Sequence, residues 1–354
     1  MSEKGAMGTV PLVTVAIPSF NRQHLVGATM ESALSQTLTD LEVLVVDDAS
    51  TDDTRSVVLS RASRDSRLRY VRNEVNLGLT RNWNRCLSLA RGEFVNLLLS
   101  DDLIDPDYLE AAAGAMRQHP GVGLVATGCR YIDETGAVVS SGNAARERLC
   151  KAGDEAVSSF LDGGFPHVSG LVFRRVMVTA LGGFREDIWH GPDVELDCRI
   201  GANHDVFYIG GIHTSFRRHG ANMGVLEYLR EDFLEADFRK KELAWGFLSE
   251  RERVKRGVTD VRAHVTRDVS RAALTGATVT VGLGRRDLSR RYLQRALQLA
   301  PSVWRERQFW KVLLLLTMGR AGSKLMARRM KITERDLIGA EAVAVSLARV
   351  GRDG

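Results

Sequence analysis

The chain has 354 residues, 44% of them hydrophobic and 26% charged, a balance that excludes a disordered, collagen-like or disulfide-packed protein. Its four cysteines (Cys86, Cys129, Cys150 and Cys198) are scattered with no C-x-x-C pair, which argues against a zinc cage and suits reduced thiols in a cytosolic setting. The net charge of +5 is uneven: residues 1–224 carry 22 Lys/Arg against 28 Asp/Glu, and residues 225–354 carry 27 against 16. An acidic first part suits a cation-dependent site, and a basic second part suits an anionic surface or a solvated helical face. The first eleven residues lack the basic and apolar regions of a signal peptide. The longest apolar run, Val312 to Leu316, is far short of the ~20 residues that span a bilayer.

Val13 to Ile17 is short and β-branched and reads as a buried strand, broken by Pro18-Ser19-Phe20-Asn21. A helix is expected from about Arg22 to Gln36, with apolar residues at three- and four-residue spacing. Leu41 to Val46 is a second strand ending at Asp47-Asp48. Ser50, with Asp53 three residues on, approximates a capping box for the next helix. Leu68 to Val71 gives a third strand. A helix from about Thr80 to Ala90 leads into Glu93 to Ser100, a hydrophobic strand closed by Asp101-Asp102. Strands alternating with helices at these lengths predict a doubly wound α/β fold with a mostly parallel sheet. Such sheets bind ligands beyond the carboxyl ends of their strands, where Asn21, Asp48 and Asp102 fall.

Two adjacent carboxylates repel, so one retains a proton unless a cation lies between them. A hard divalent ion takes oxygen ligands and commonly shares them with a substrate's phosphates. The competing explanation is a solvated turn that caps the helix after Asp105-Pro106. Neither G-x-G-x-x-G nor G-x-x-x-x-G-K-[ST] is present. Without a glycine-rich cradle, a metal held by Asp101 and Asp102 is the natural means of neutralising phosphate charge.

Four stretches together resemble the family 2 glycosyltransferases, inverting sugar transferases of the GT-A fold. They are Val15 to Arg22, Val45 to Asp52, Asn76 to Asn82, and Leu99 to Asp102. The resemblance covers roughly Val13 to Gly224 and implies roles for particular residues. Pro18, with Asn21 and Arg22 in the loop after the first strand, would lie against the nucleotide. Asp48 would accept an N–H of uracil or thymine, pointing to a UDP- or dTDP-linked donor, and Arg81 would approach the nucleotide or diphosphate. Asp102 would bind Mn2+ or Mg2+, and Asp101 would contact the sugar or ribose. Leu99 stands where many relatives have a further acid.

Downstream, Gly191-Pro192-Asp193-Val194-Glu195-Leu196-Asp197 replaces the relatives' Glu-Asp with Pro-Asp, and the resemblance makes Asp193 the catalytic base. Pro192 suits the first turn of a helix, where the dipole favours a carboxylate at Asp193. Glu195 and Asp197 remain alternatives. Trp189 and His190 would lie near the acceptor entrance. His219, in Phe216-Arg217-Arg218-His219, would be a third metal ligand or a phosphate contact.

From Tyr228 onward the pattern is helical and arginine-rich. Leu288, Tyr292, Leu293, Ala296 and Leu297 mark an amphipathic helix that stops before Pro301. Phe309 to Leu316, followed by the basic stretch Arg320 to Lys331, suits core packing, an oligomer contact or the surface of a membrane. The sequence therefore predicts a catalytic domain over residues 1–224 and a basic helical region over 225–354. The expected activity is inverting sugar transfer to a saccharide or lipid-linked acceptor of the bacterial cell surface. It would take place in the cytoplasm or at the inner face of the plasma membrane, with no nucleic-acid partner. The rival readings are a metal-dependent nucleotidyltransferase and a non-catalytic nucleotide-sugar-binding subunit.

Overall fold

The computed structural model describes residues 10–163, 165–218 and 227–330. These divide into two compact units, one of residues up to Arg217 together with Phe247–Ser249, the other of Arg218–Gly246 and the residues from Glu250. The boundary expected at Gly224 lies outside the described residues.

The first unit is built on one sheet. Strands β1 (Val13–Ser19), β2 (Leu41–Asp47), β3 (Leu68–Arg72) and β4 (Phe94–Leu97) pair in parallel in the order β3-β2-β1-β4. Every residue of β1 and β2 is buried, as near-continuous Val, Ile and Leu runs require when helices cover both faces. Beyond β4 the sheet continues through β9 (Leu171–Arg174), β6 (Val122–Ile132), β10 (Asp205–Arg217) and β5 (Leu103–Ile104). Two further strands, β7 (Val138–Asn143) and β8 (Arg148–Cys150), attach to β6 and β10.

β9 is antiparallel to both β4 and β6, while β6 and β10 are parallel to each other. Strands β1 to β4, β6 and β10 thus share one direction, and the mostly parallel sheet expected from the sequence is present. β9 runs against its neighbours for a local reason. The Leu99 amide donates to Ser169 Oγ at 3.2 Å, so the chain enters β9 at the point where β4 ends and must run back down.

Helices α1 (Val26–Leu34), α2 (Thr54–Ala62), α3 (Leu79–Leu89) and α4 (Tyr108–Gln118) follow the early strands. α5 (Asp154–Gly163), α6 (Arg175–Ala180) and α7 (Pro192–Asn203) come later. Two expectations are corrected here. The first helix is shorter than Arg22 to Gln36, because residues 20–25 form a turn in which the Arg22 carbonyl accepts the Leu25 and Val26 amides. The second helix is not capped through Ser50. Asp52 Oδ1 takes the Thr54 amide at 3.0 Å, and Asp53 at the N-cap makes no side-chain capping bond.

The second unit is helical: α8 (Phe233–Gly246), α9 (Glu250–Lys255), α10 (Val261–Gly282), α11 (Arg286–Leu299), α12 (Arg307–Thr317) and α13 (Arg320–Met330). α10 buries Val265, Val269, Ala273, Leu274, Ala277 and Val281 along one stripe, and Asp260 caps its start by accepting the Ala263 amide at 3.0 Å. The stripe predicted on α11, through Leu288, Tyr292, Leu293 and Ala296, is buried. Among the described residues no helix is long and apolar enough to cross a membrane.

Candidate active site

The carboxyl ends of β2, β1 and β4 lie side by side along one edge of the sheet. Adjacent strands are about 4.8 Å apart, so loops leaving β2 and β4 are separated by about 10 Å. The loops after β1 and β2 are stitched to each other. The Asp48 amide donates to the Ser19 carbonyl at 2.8 Å and the Asn21 amide to Ser50 Oγ at 2.9 Å. The Thr51 amide returns a bond to Asn21 Oδ1 at 2.8 Å. Asn21 and Ala49 have φ of 53° and 61°, a left-handed conformation that costs side chains about 1–3 kcal/mol unless the surroundings enforce it. The reciprocal bonds enforce it. Asn21 thus shapes the loop through its side-chain carbonyl, and Pro18 is a buried member of β1.

Asp48 is 3% exposed and organises the neighbouring loop. Its Oδ1 accepts Asn73 Nδ2 and the Leu77 amide, each at 2.8 Å, and its Oδ2 accepts the Gly78 amide at 2.9 Å. Asn82 closes the circle by accepting Asn73 Nδ2 at 3.0 Å and donating to the Val46 carbonyl at 3.2 Å. The Asn76-Leu77-Gly78 motif is therefore held in place by the aspartate of the preceding motif. A carboxylate offers about four acceptor positions, so three internal donors leave room for one more.

The acidic pair follows β4. Asp102 is fully buried. Its Oδ2 accepts Ser169 Oγ at 2.6 Å, and its Oδ1 accepts the Arg217 amide at 3.0 Å. His167 Nδ1 lies 3.5 Å from Asp102 Oδ2 and accepts the Ser169 amide at 3.4 Å. Desolvation holds this imidazole neutral by pushing its pKa down to about 4. Arg217 Nε donates to the Asp101 carbonyl at 2.9 Å, while Arg22 Nε is 3.8 Å from Asp101 Oδ2. Burial, reinforced by the Asp101 charge, lifts the Asp102 carboxyl well above the usual carboxylate range. Among the described residues no three His, Cys, Asp or Glu side chains converge as a closed metal cage. The donor set instead fits a hard divalent ion of the magnesium type, which takes one or two carboxylates and completes its shell with phosphates and water. The mutual repulsion of Asp101 and Asp102 is what such a charge would relieve.

The third part of the site begins α7. Gly191, left-handed at φ 65°, precedes Pro192 in the first turn. A one-residue connection at His204 leads from α7 into β10, so the helix runs back along the sheet and its N-terminus faces the edge where the strands end. The preceding loop is pinned to α3. Asn84 Nδ2 donates to the Phe184 carbonyl at 2.8 Å, its Oδ1 accepts the Phe184 amide at 2.9 Å, and Arg81 Nε meets Glu186 at 3.2 Å. α3 starts beside the Gly78 amide that Asp48 holds, so Asp48 and the approach to α7 share one scaffold.

The three acids of α7 have different surroundings. Glu195 is 1% exposed and bound by both Nε and Nη2 of Arg199, at 3.0 and 2.8 Å. Asp197 is also 1% exposed, and neither carboxyl oxygen has a hydrogen-bond partner. Burial, with the charges of Asp193 and Glu195, raises its pKa well above the usual range. Asp193 alone of the three is only partly buried.

The remaining expected residues are distributed unevenly. Arg81 is mostly exposed and its Nε is engaged by Glu186. His190 is buried, with the half-buried Trp189 ring 5.5 Å away. His219 lies outside the described residues. Sequence reasoning missed His167, Ser169, Asn73 and Asn84. It also passed over Arg217, which stood in the motif it quoted for His219. A usable signal was His167-Val168-Ser169-Gly170, a polar run directly before the apolar strand β9.

The family model "Glycosyl transferase family 2" matches residues 14–181. Chondroitin synthase of Escherichia coli is 36% identical over 140 residues, covering 40% of this chain and 20% of that protein. The GalNAc(5)-diNAcBac-PP-undecaprenol beta-1,3-glucosyltransferase of Campylobacter jejuni is 37% identical over 115 residues, covering 32% of this chain and 36% of its own length. The chain thus spans well under two thirds of either relative. Among solved structures, S. aureus TarS 1–349 in complex with UDP-GlcNAc has a TM-score of 0.53 at 17% identity, covering 83% of this chain and 91% of that one, a likeness of fold. Over residues 14–181 the chain thus carries a domain that matches the glycosyl transferase family 2 model, with a GT-A-like fold.

Proposed function

We propose that this glycosyltransferase moves a sugar from a UDP- or dTDP-linked donor to an acceptor hydroxyl with inversion, assisted by Mn2+ or Mg2+. The observation that carries the reading is the gathering of the Asp48 loop, the Asp101-Asp102 pair and the start of α7 on one edge of the sheet. Asp48 retains one acceptor position for an N–H of the base, and Asp101, near Arg22, faces the same loops. The UDP-GlcNAc complex of TarS supports a nucleotide-sugar donor. The polysaccharide-forming and undecaprenol-linked relatives support a saccharide or lipid-linked acceptor.

Asp193 takes the proton of the acceptor hydroxyl as its oxygen attacks the anomeric carbon. The carbon–oxygen bond to the diphosphate breaks, and the diphosphate leaves with the electron pair from the opposite face. Glu195 is paired with Arg199 and Asp197 is buried with a raised pKa, whereas Asp193 is only partly buried at the start of α7, which favours it as the acid that meets an acceptor. Asp102 and Asp101 would hold the metal, which when bound offsets charge building on the departing diphosphate.

A product assay tests the reading. Free nucleoside diphosphate, formed with a glycosylated acceptor and dependent on Mn2+ or Mg2+, is expected. Pyrophosphate release would indicate nucleotidyl transfer instead. No turnover, with donor still raising Tm in a panel of nucleotide sugars, would leave only a binding protein. Either result overturns it.

A further inference from the structure

Helix α12 has two apolar faces, and the bundle uses one. Phe309, Val312, Leu315 and Leu316 are buried. Trp310, Leu313 and Leu314 are 54%, 36% and 60% exposed, and Met318 at the C-cap is 41% exposed. At 100° per residue these exposed side chains, with Arg307 and Lys311, fall within an arc of about 160° opposite the buried stripe. Trp304, also exposed, stands in the preceding 3₁₀ turn with the Arg305 guanidinium 5.4 Å from its ring. In α13, Lys324 and Leu325 are exposed as well. Residues 301–330 contain seven Lys/Arg and one acid, Glu306.

We infer that this face docks on an anionic lipid bilayer, with Trp310, Leu313, Leu314 and Met318 entering the headgroup layer and Arg307, Lys311 and their neighbours meeting the lipid phosphates. Charge selects the occupant. In a symmetric pair of chains each patch meets its own copy, so Arg307 and Lys311 would be brought against like charges. An anionic surface gains from every one of them, by about 1 kcal/mol or fivefold in binding per basic residue. The length of α12 suits a helix lying in the interface: its 11 residues extend about 16 Å, half the thickness of the hydrocarbon core. A Trp- and Leu-bearing face flanked by basic residues is the composition that interfacial helices use. The inference does not depend on the sugar-transfer chemistry, because membrane binding is read without donor or acceptor.

The test is sedimentation of the full chain with vesicles of phosphatidylglycerol and phosphatidylcholine, or of phosphatidylcholine alone. Binding is expected to the anionic vesicles, to weaken with salt, and to fall at least about tenfold in Trp310→Ser/Leu314→Ser and in Arg307→Glu/Lys311→Glu. All four side chains are exposed, and an unchanged Tm and circular dichroism spectrum would establish that the variants fold. Wild-type protein that stays in the supernatant, or variants that bind equally well, would overturn the inference. So would a dimer in analytical ultracentrifugation that Trp310→Ser/Leu314→Ser dissociates, since a second copy would then cover the face.

Discussion

The two units place residues against their usual preference in opposite ways. In the sheet unit, charged and polar groups are buried: Asp47, Asp48, Asp102, Glu195 and Asp197 are each 3% exposed or less. In the helical unit, Trp310, Leu314 and Leu325 are more than half exposed. Buried polar groups and exposed apolar patches are the informative exceptions to the rule of an apolar interior. A buried carboxylate persists where hydrogen bonds hold it, and those of Asp47, Asp48 and Asp102 shape the loops of a candidate active site, whereas Asp197 has no such bond. An apolar stripe left in solvent persists where something else covers it in use. One unit thus keeps its exceptions along the interior edge of the sheet, and the other keeps them on its surface.

That contrast can be broken at several points. The largest effect is expected from Asp193→Asn: turnover should fall by about 10²–10⁴-fold with donor-induced stabilisation kept, as measured by initial rates and thermal shift. Equal losses in donor affinity and turnover would instead make Asp193 a donor contact. Asp48→Ala removes the acceptor for Asn73, Leu77 and Gly78, and should cost about 3 kcal/mol in denaturant unfolding. An unchanged midpoint would mean that the loop does not rely on the carboxylate.

In the helical unit the sensitive point is steric. A Cβ added at Gly322 would lie 2.2 Å from the Leu315 carbonyl oxygen, a backbone atom that cannot swing aside. Gly322→Ala should therefore cost about 1–3 kcal/mol and speed amide exchange in α12 and α13. The smallest effect concerns pH. Asp197 has a folded pKa raised well above its unfolded value, so the folded chain binds the extra proton. Its contribution to stability is full below the unfolded pKa and is lost as pH rises through the window up to the folded value. Asp197→Asn should shrink the fall in Tm between mildly acid and mildly alkaline pH, and an unaltered pH profile would contradict the assignment.

Much of this was legible before any coordinates. The β-branched runs of β1 and β2, the acids at their ends, and the three- and four-residue spacing of α11 are local patterns. They follow from the chain's own periodicity and from the burial that a parallel sheet requires. Pro192 likewise announced the start of α7, because a proline without an N–H suits the first turn of a helix whatever surrounds it.

What the sequence could not decide is which partner each polar side chain meets. Asp48 was legible as a residue at a strand end, but not as the acceptor for Asn73, Leu77 and Gly78, which depends on where the next loop folds back. Ser169 and the Arg217 amide reach Asp102 from 67 and 115 residues away, separations that no local pattern encodes. Glu195 and Asp197 are both carboxylic acids two residues apart on one helix, yet packing pairs one with Arg199 and leaves the other without a hydrogen bond. Periodicity sets which residues are buried, because it belongs to the chain. The environment of a charge is set by distant residues brought together, and only the tertiary structure fixes them.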